Sequence, residues 1–180
     1  MRRVAISASS SLAADAAASV ADAGGNAVDA AITATVVAMT TQPGIIGPGA
    51  GSFLTIWPAD GDPVVIDAYA EMPGRGLEER PDGFGDRVWL GYGGGMETLV
   101  GPASVATPGV FAGLGMASER YGALPWSQVI RPAAEVCRRG FPYSKVSASY
   151  LAYAHQPIYD GDAEGFAALH RPDGTPLREG

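Results

Sequence analysis

Gly24-Gly-Asn-Ala-Val-Asp-Ala-Ala31 closes one helix and opens another within a single short stretch. The two glycines suit a helix C-terminus, because glycine takes the left-handed cap conformation at little steric cost. Asn26 suits the N-cap of the next helix, and Asp29 falls in its first turn, where a negative charge complements the dipole. On physics alone this segment is structural. Upstream, Ser10 or Ser11 can cap an alanine-rich helix over about Leu12–Ala23, and Arg3–Ser7 is a candidate short strand. Downstream, Ala27 to about Met39 has hardly any polar face, which predicts a helix buried on most sides.

After that helix comes Gln42-Pro-Gly-Ile-Ile-Gly-Pro-Gly-Ala-Gly-Ser52. Its Gly-x-Gly-x-Gly run invites a phosphate-cradle reading, but the context is wrong. A dinucleotide fingerprint follows a strand and opens a helix, whereas this loop follows a helix and opens a strand. No Lys-Ser or Lys-Thr pair follows it either. Tight turns and close helix–sheet packing account for the glycines. Phe53–Trp57 and Val64–Ile66 read as two strands joined through Pro58-Ala-Asp-Gly-Asp-Pro63, a hairpin. Glu71–Ala103 reads as irregular. Helices are expected at Val110–Tyr121, Trp126–Arg139 and Ser144–Ala154, with a turn at Arg171–Pro176. Helices, a hairpin and further helices imply helices layered on a sheet, an α+β chain read as one domain over 1–180.

Composition narrows the function classes. The formal net charge is −7 and Lys145 is the only lysine, which argues against nucleic acid as a partner. The longest apolar stretch, Ala30–Met39, is too short to cross a bilayer, so no membrane partner is expected. Serines at 7, 9, 10 and 11 break up any apolar core of a signal peptide, which points to a cytoplasmic location, or a periplasmic or secreted one if a leader precedes this chain. The single cysteine, Cys137, allows no internal disulfide and is expected to pack as a small apolar residue in its helix. His155 and His170 have no Cys or Asp at metal-ligand spacing, so no metal is expected. Val65-Ile-Asp-Ala-Tyr-Ala-Glu-Met-Pro73 is a strand ending in polar residues, where Tyr69 and Glu71 can face either a ligand or solvent.

Taken together these segments resemble the gamma-glutamyltranspeptidase family, large-subunit portion. The resemblance rests on Gly24–Ala31; on Gln42-Pro43 with Gly47-Pro-Gly-Ala-Gly-Ser-Phe-Leu54; on Thr107-Pro-Gly109 with Ala112-Gly113; on Tyr121-Gly122, Pro125-Trp126, Arg131-Pro-Ala133 and Gly140-Phe141; and on Gly174-x-Pro176. It implies the N-terminal part of an αββα four-layer N-terminal-nucleophile hydrolase, made as a precursor that cleaves itself to expose a threonine. That threonine is nucleophile and, through its own α-amine, base. It acts on gamma-glutamyl amides such as glutathione through an acyl-enzyme, with no organic or metal cofactor. The resemblance assigns no catalytic residue to this chain, since the nucleophile belongs to a small-subunit half expected as partner. The fragment alone is then expected to be inactive.

One position departs from the family pattern. The hairpin of relatives usually ends Asp-x-Arg-Glu-x-x-Pro, the arginine gripping the glutamyl α-carboxylate. Here Asp67 and Pro73 keep their places, but Tyr69 and Ala70 stand where Arg-Glu would be. Tyr69 is thus the candidate substrate-binding residue. It brings one hydrogen-bond donor and no charge, and losing a buried bidentate ion contact costs about 2–5 kcal/mol. The departure favours an acylase of the same superfamily, of glutaryl or cephalosporin type, as the alternative to gamma-glutamyl specificity. A non-catalytic scaffold is the third reading.

Overall fold

The computed structural model describes residues 4–76 and 85–180. The chain is α+β and divides into two compact units. The first comprises Met1–Glu71 and Pro108–Phe141, the second Met72–Thr107 and Pro142–Gly180.

The first unit holds α1 (Ser11–Asp22), α2 (Ala27–Thr41), the hairpin β1 (Ser52–Ile56) with β2 (Val64–Ala68), α3 (Val110–Tyr121) and α4 (Trp126–Arg139). Ser10 caps α1 through the backbone N–H of Ala13. Gly24, with φ 101°, carries the chain out of α1 in a conformation only glycine adopts readily. The central helix α2 buries nine of its 15 residues, as its all-round apolar sequence requires. Its Ile32 and Val37, with Leu114 of α3 and Val129 of α4, are among the largest fully buried apolar side chains of the common core. Each contributes about 1.5–3 kcal/mol of burial. The hairpin pairs antiparallel, Leu54 opposite Ile66 and Phe53 opposite Asp67. The alternation sends Leu54, Ile66 and Ala68 inward, where α3 covers them, and Phe53, Val65 and Asp67 outward.

The second unit holds β3 (Asp86–Leu90) and β4 (Met96–Val100), a short 3-10 turn at Pro102–Ser104, α5 (Lys145–Ala154) and α6 (Ala163–Leu169). Ser144 caps α5. Tyr92, Tyr150 and Tyr153 form a run of ring contacts, Tyr150 and Tyr153 edge to face at 5.4 Å. Burial raises the pKa of the Tyr150 hydroxyl strongly, and the neighbouring Tyr159 hydroxyl adds to it. Tyr143 is shifted the same way for the same two reasons.

Four expectations need correction. Residues 4–7 carry no strand, because no strand edge among the described residues pairs with them. The region expected to be irregular contains the β3–β4 hairpin, turned through Gly93-Gly94-Gly95; residues 77–84 of that region lie outside the described ones. Gly93, Gly94 and Gly95 all have positive φ, a turn chemistry that a bare glycine run does not distinguish from a flexible loop. α6, Ala163–Leu169, lay in a stretch assigned no element. Finally, Cys137 is exposed, since α4 turns Val129, Ala133 and Val136 to the core and leaves the following position on its outer edge. Among the described residues, no helix is long and apolar enough to cross a membrane.

Candidate functional site

The Gly24–Ala31 stretch has the structural role its residue types imply, and more besides. The Asn26 side chain accepts from the N–H groups of Val28 and Asp29, while the Asp29 carboxylate accepts from the Asn26 N–H at 2.9 Å, a complete capping box. The same two side chains also reach across the unit. Asn26 Nδ2 donates to the Tyr121 carbonyl at 2.6 Å, and the other free lone pairs of Asp29 Oδ2 take the N–H of Ala123 at 2.9 Å. Asp29 is fully buried, so its contacts hold the entry to α2 against the loop between α3 and α4. The threonines of α2 are similarly committed. The hydroxyls of Thr33, Thr35, Thr40 and Thr41 donate to carbonyls one turn earlier in the helix.

The candidate site residue, Tyr69, directly follows β2. Its backbone is packed from two directions. A Cβ on Gly51 would stand 2.4 Å from the Ala70 nitrogen and 2.8 Å from Tyr69 Cα. One on Gly109 would stand 2.5 Å from the Tyr69 carbonyl oxygen. Only hydrogen at both positions lets the glycine-rich loop and the start of α3 close on this strand end. The N–H of Val110 donates to the Ala50 carbonyl at 3.3 Å and joins those two segments directly. One turn on, Gly113 lies against Ala68, where a Cβ would meet the alanine methyl at 2.2 Å. Gly47 and Gly49 differ: a Cβ there meets nothing within 4 Å, and neither has a positive φ. The close packing expected of the whole glycine run therefore belongs to Gly51 alone.

With its backbone so held, the Tyr69 ring is presented outward, 61% exposed. Its N–H donates to Asp67 Oδ1 at 3.0 Å, a local turn that fixes the strand end. The ring stacks on Phe53, centroids 5.4 Å apart and planes 15° from parallel. Phe53 is the residue that sequence reasoning missed. The signal was present in the hairpin register, because Phe53 faces Asp67 and shares the outward face with the position two further on. The two rings, with Val65 and Trp57, give the hairpin an apolar outer face. That surface can stack on or line an apolar or planar group, and Tyr69 adds a hydroxyl. It supplies no cation.

In the second unit, the spacing argument that left the histidines without a carboxylate fails. His155, Asp160 and His170 come together, one ligand atom from each within 4.8 Å of the others.

The mixed helix–strand architecture is shared with solved transpeptidase and cephalosporin acylase structures. A solved gamma-glutamyltranspeptidase from Helicobacter pylori superposes with a TM-score of 0.79 at 23% identity, covering all of this chain and 51% of that one. The family model for gamma-glutamyltranspeptidase matches residues 13–180, and the chain belongs to that family. It is 34% identical over 164 residues to an acylase ACY 1 proenzyme of Pseudomonas sp. (strain V22), covering 88% of this chain and 28% of that protein. It is 32% identical over 145 residues to a glutathione hydrolase proenzyme of Pseudomonas aeruginosa, covering 79% and 24%. The chain thus spans about a quarter of the length of the curated relatives it matches.

Proposed function

We propose that the protein to which this chain contributes cleaves small amides by acyl transfer, with gamma-glutamyl amides such as glutathione as donors on one reading. A threonine hydroxyl outside residues 1–180 attacks the amide carbonyl, its proton passing to the threonine's own α-amine. The tetrahedral oxyanion is held by backbone donors and collapses to an ester as the protonated amine leaves. Water or an acceptor amine then takes the acyl group and restores the hydroxyl. Family membership supports this reaction class. Residues 1–180 form part of one larger domain on this reading.

A second reading is an acylase acting on a glutaryl- or cephalosporin-type amide, and one observation favours it. On the family resemblance, Tyr69 stands where the carboxylate-binding arginine of that pattern would be. Gly51 and Gly109 pin its backbone, and Phe53 stacks against its ring. An acyl group with no carboxylate at that end suits the surface better, because it needs no guanidinium; a glutaryl group lacks only the α-amine and keeps the carboxylate of a gamma-glutamyl group.

The intact protein assayed on gamma-glutamyl-p-nitroanilide and glutaryl-p-nitroanilide separates the readings. Turnover of the first supports gamma-glutamyl specificity, and turnover of the second alone removes it. No turnover of either leaves the scaffold reading standing.

A further inference from the structure

The second unit carries a constellation unrelated to the Tyr69 site. α5 does not run out into a loop but passes through one π-helical turn, His155–Tyr159. Such turns are rare and occur frequently at functional sites. This one places His155 at its start and Asp160 just after its end. α6 follows, and His170 caps its C-terminus.

His170 is fixed on three sides. It is only 7% exposed, and its ring lies flat on Phe166 with centroids 3.8 Å apart. Its Nδ1 is 2.8 Å from the Phe166 carbonyl oxygen. A carbonyl only accepts, so Nδ1 carries the proton and Nε2 presents a lone pair. A histidine whose far nitrogen is held by a backbone carbonyl is oriented as metal-ligating histidines are. Nε2 stands 3.2 Å from His155 Nδ1. Two nitrogens each about 2.0–2.1 Å from a tetrahedral ion lie about 3.3–3.4 Å apart, so this gap needs little adjustment to close on one. Asp160 is exposed and His155 half-buried, which opens the third side to water and to an incoming ion.

We propose that His155, Asp160 and His170 form a three-ligand site for a borderline divalent transition-metal ion, with zinc as the reference ion and water completing its coordination. Two imidazole nitrogens and one carboxylate oxygen suit such an ion, whereas calcium and magnesium select all-oxygen sets. The ion would staple the π turn to the end of α6 and stabilise the folded unit by mass action. This inference does not depend on the amidase reading.

The test uses tag-free intact protein, stripped with a chelator and titrated with zinc chloride by calorimetry. Cobalt chloride is added in a parallel spectroscopic titration. One zinc per chain, a rise in melting temperature with zinc, and visible cobalt absorption of a low-coordinate site are expected. His155→Ala and Asp160→Asn each remove a charged or nitrogen ligand from the more open side of the site, and each is expected to weaken zinc binding at least tenfold. Circular dichroism verifies that both variants stay folded. Absence of stoichiometric zinc or cobalt binding by the wild-type protein overturns the site. So does binding that both variants retain undiminished. The pair would then be a histidine–histidine hydrogen bond, His155 Nδ1–H donating to His170 Nε2.

Discussion

The carboxylate of Asp29 accepts the backbone N–H of Ala123, 94 residues along the chain, at 2.9 Å. The same oxygen serves the Asn26 N–H at the mouth of α2. One buried side chain therefore both caps a helix and anchors a distant loop. Gly122 completes the fit, since a Cβ there would stand 2.8 Å from Asp29 Oδ1. Asp29→Ala removes the charged acceptor of two backbone donors, one on half-buried Asn26 and one on exposed Ala123. A loss of roughly 2–4 kcal/mol is expected in urea unfolding of the intact protein. A change under about 0.5 kcal/mol would show that the tie carries no stability.

Two glycines of α3 provide an internally controlled pair. Gly113 faces the Ala68 methyl, whereas a Cβ on Gly115 meets nothing within 4 Å. Gly113→Ala overpacks the helix–sheet contact and is expected to cost about 1–3 kcal/mol. Gly115→Ala relieves backbone entropy in a helix interior and should stabilise by about 0.5–1 kcal/mol. Denaturant midpoints of the two variants are predicted to move in opposite directions. Equal shifts would refute the close approach.

Restoring a guanidinium at the strand end tests the part assigned to Tyr69. Tyr69→Arg is expected to raise turnover of gamma-glutamyl-p-nitroanilide, and of glutaryl-p-nitroanilide with it, since both donors present a carboxylate to the guanidinium. Phe53→Ala removes the stacking partner and should raise KM for the preferred donor about two- to tenfold with kcat little changed. Because Phe53 and Tyr69 are both exposed, neither change should shift the unfolding midpoint appreciably. Unchanged turnover of gamma-glutamyl-p-nitroanilide in Tyr69→Arg would count against the position.

Tyr150 predicts an alkaline limit to stability. Burial first, then the Tyr159 hydroxyl, raise its pKa above that of a free tyrosine. A group raised in the folded state binds its proton more tightly there. Its contribution is complete below the unfolded value of about 10 and is lost as pH climbs beyond it. Stability should fall with rising pH above about 10, and Tyr150→Phe should flatten that slope. Ultraviolet titration of tyrosinate, read beside unfolding free energy, measures both. A wild-type profile as flat as that of the phenylalanine variant would contradict the assignment.

Much of the first unit was legible because its signals are local. Serine and asparagine caps, Gly24 and the all-round apolar α2 state their conformations within a few residues. The turn between β1 and β2 does the same, and both Val110–Tyr121 and Trp126–Arg139 form helices with those bounds. What escaped notice depends on distant neighbours or on uncommon turns. The β3–β4 hairpin turns through three glycines, whose sequence fits a loop equally well. The reach of Asn26 and Asp29 to Tyr121 and Ala123 has no local mark. At the candidate site, Tyr69 stood out as a departure from a pattern, but Phe53 emerged only with strand register. The meeting of His155 and His170 required a π turn and a short helix that periodicity did not reveal.

The long reach of Asn26 and Asp29 also bears on the order of events at the ribosome. When α2 leaves the exit tunnel, Tyr121 and Ala123 have yet to be translated. At about 5–20 residues per second, the 94 residues that separate Asp29 from Ala123 take on the order of ten seconds to synthesise. Through that interval the helix entrance must satisfy itself with its own capping box and with solvent. The nascent polypeptide can then settle this corner of its architecture only when the later segment arrives to lock it.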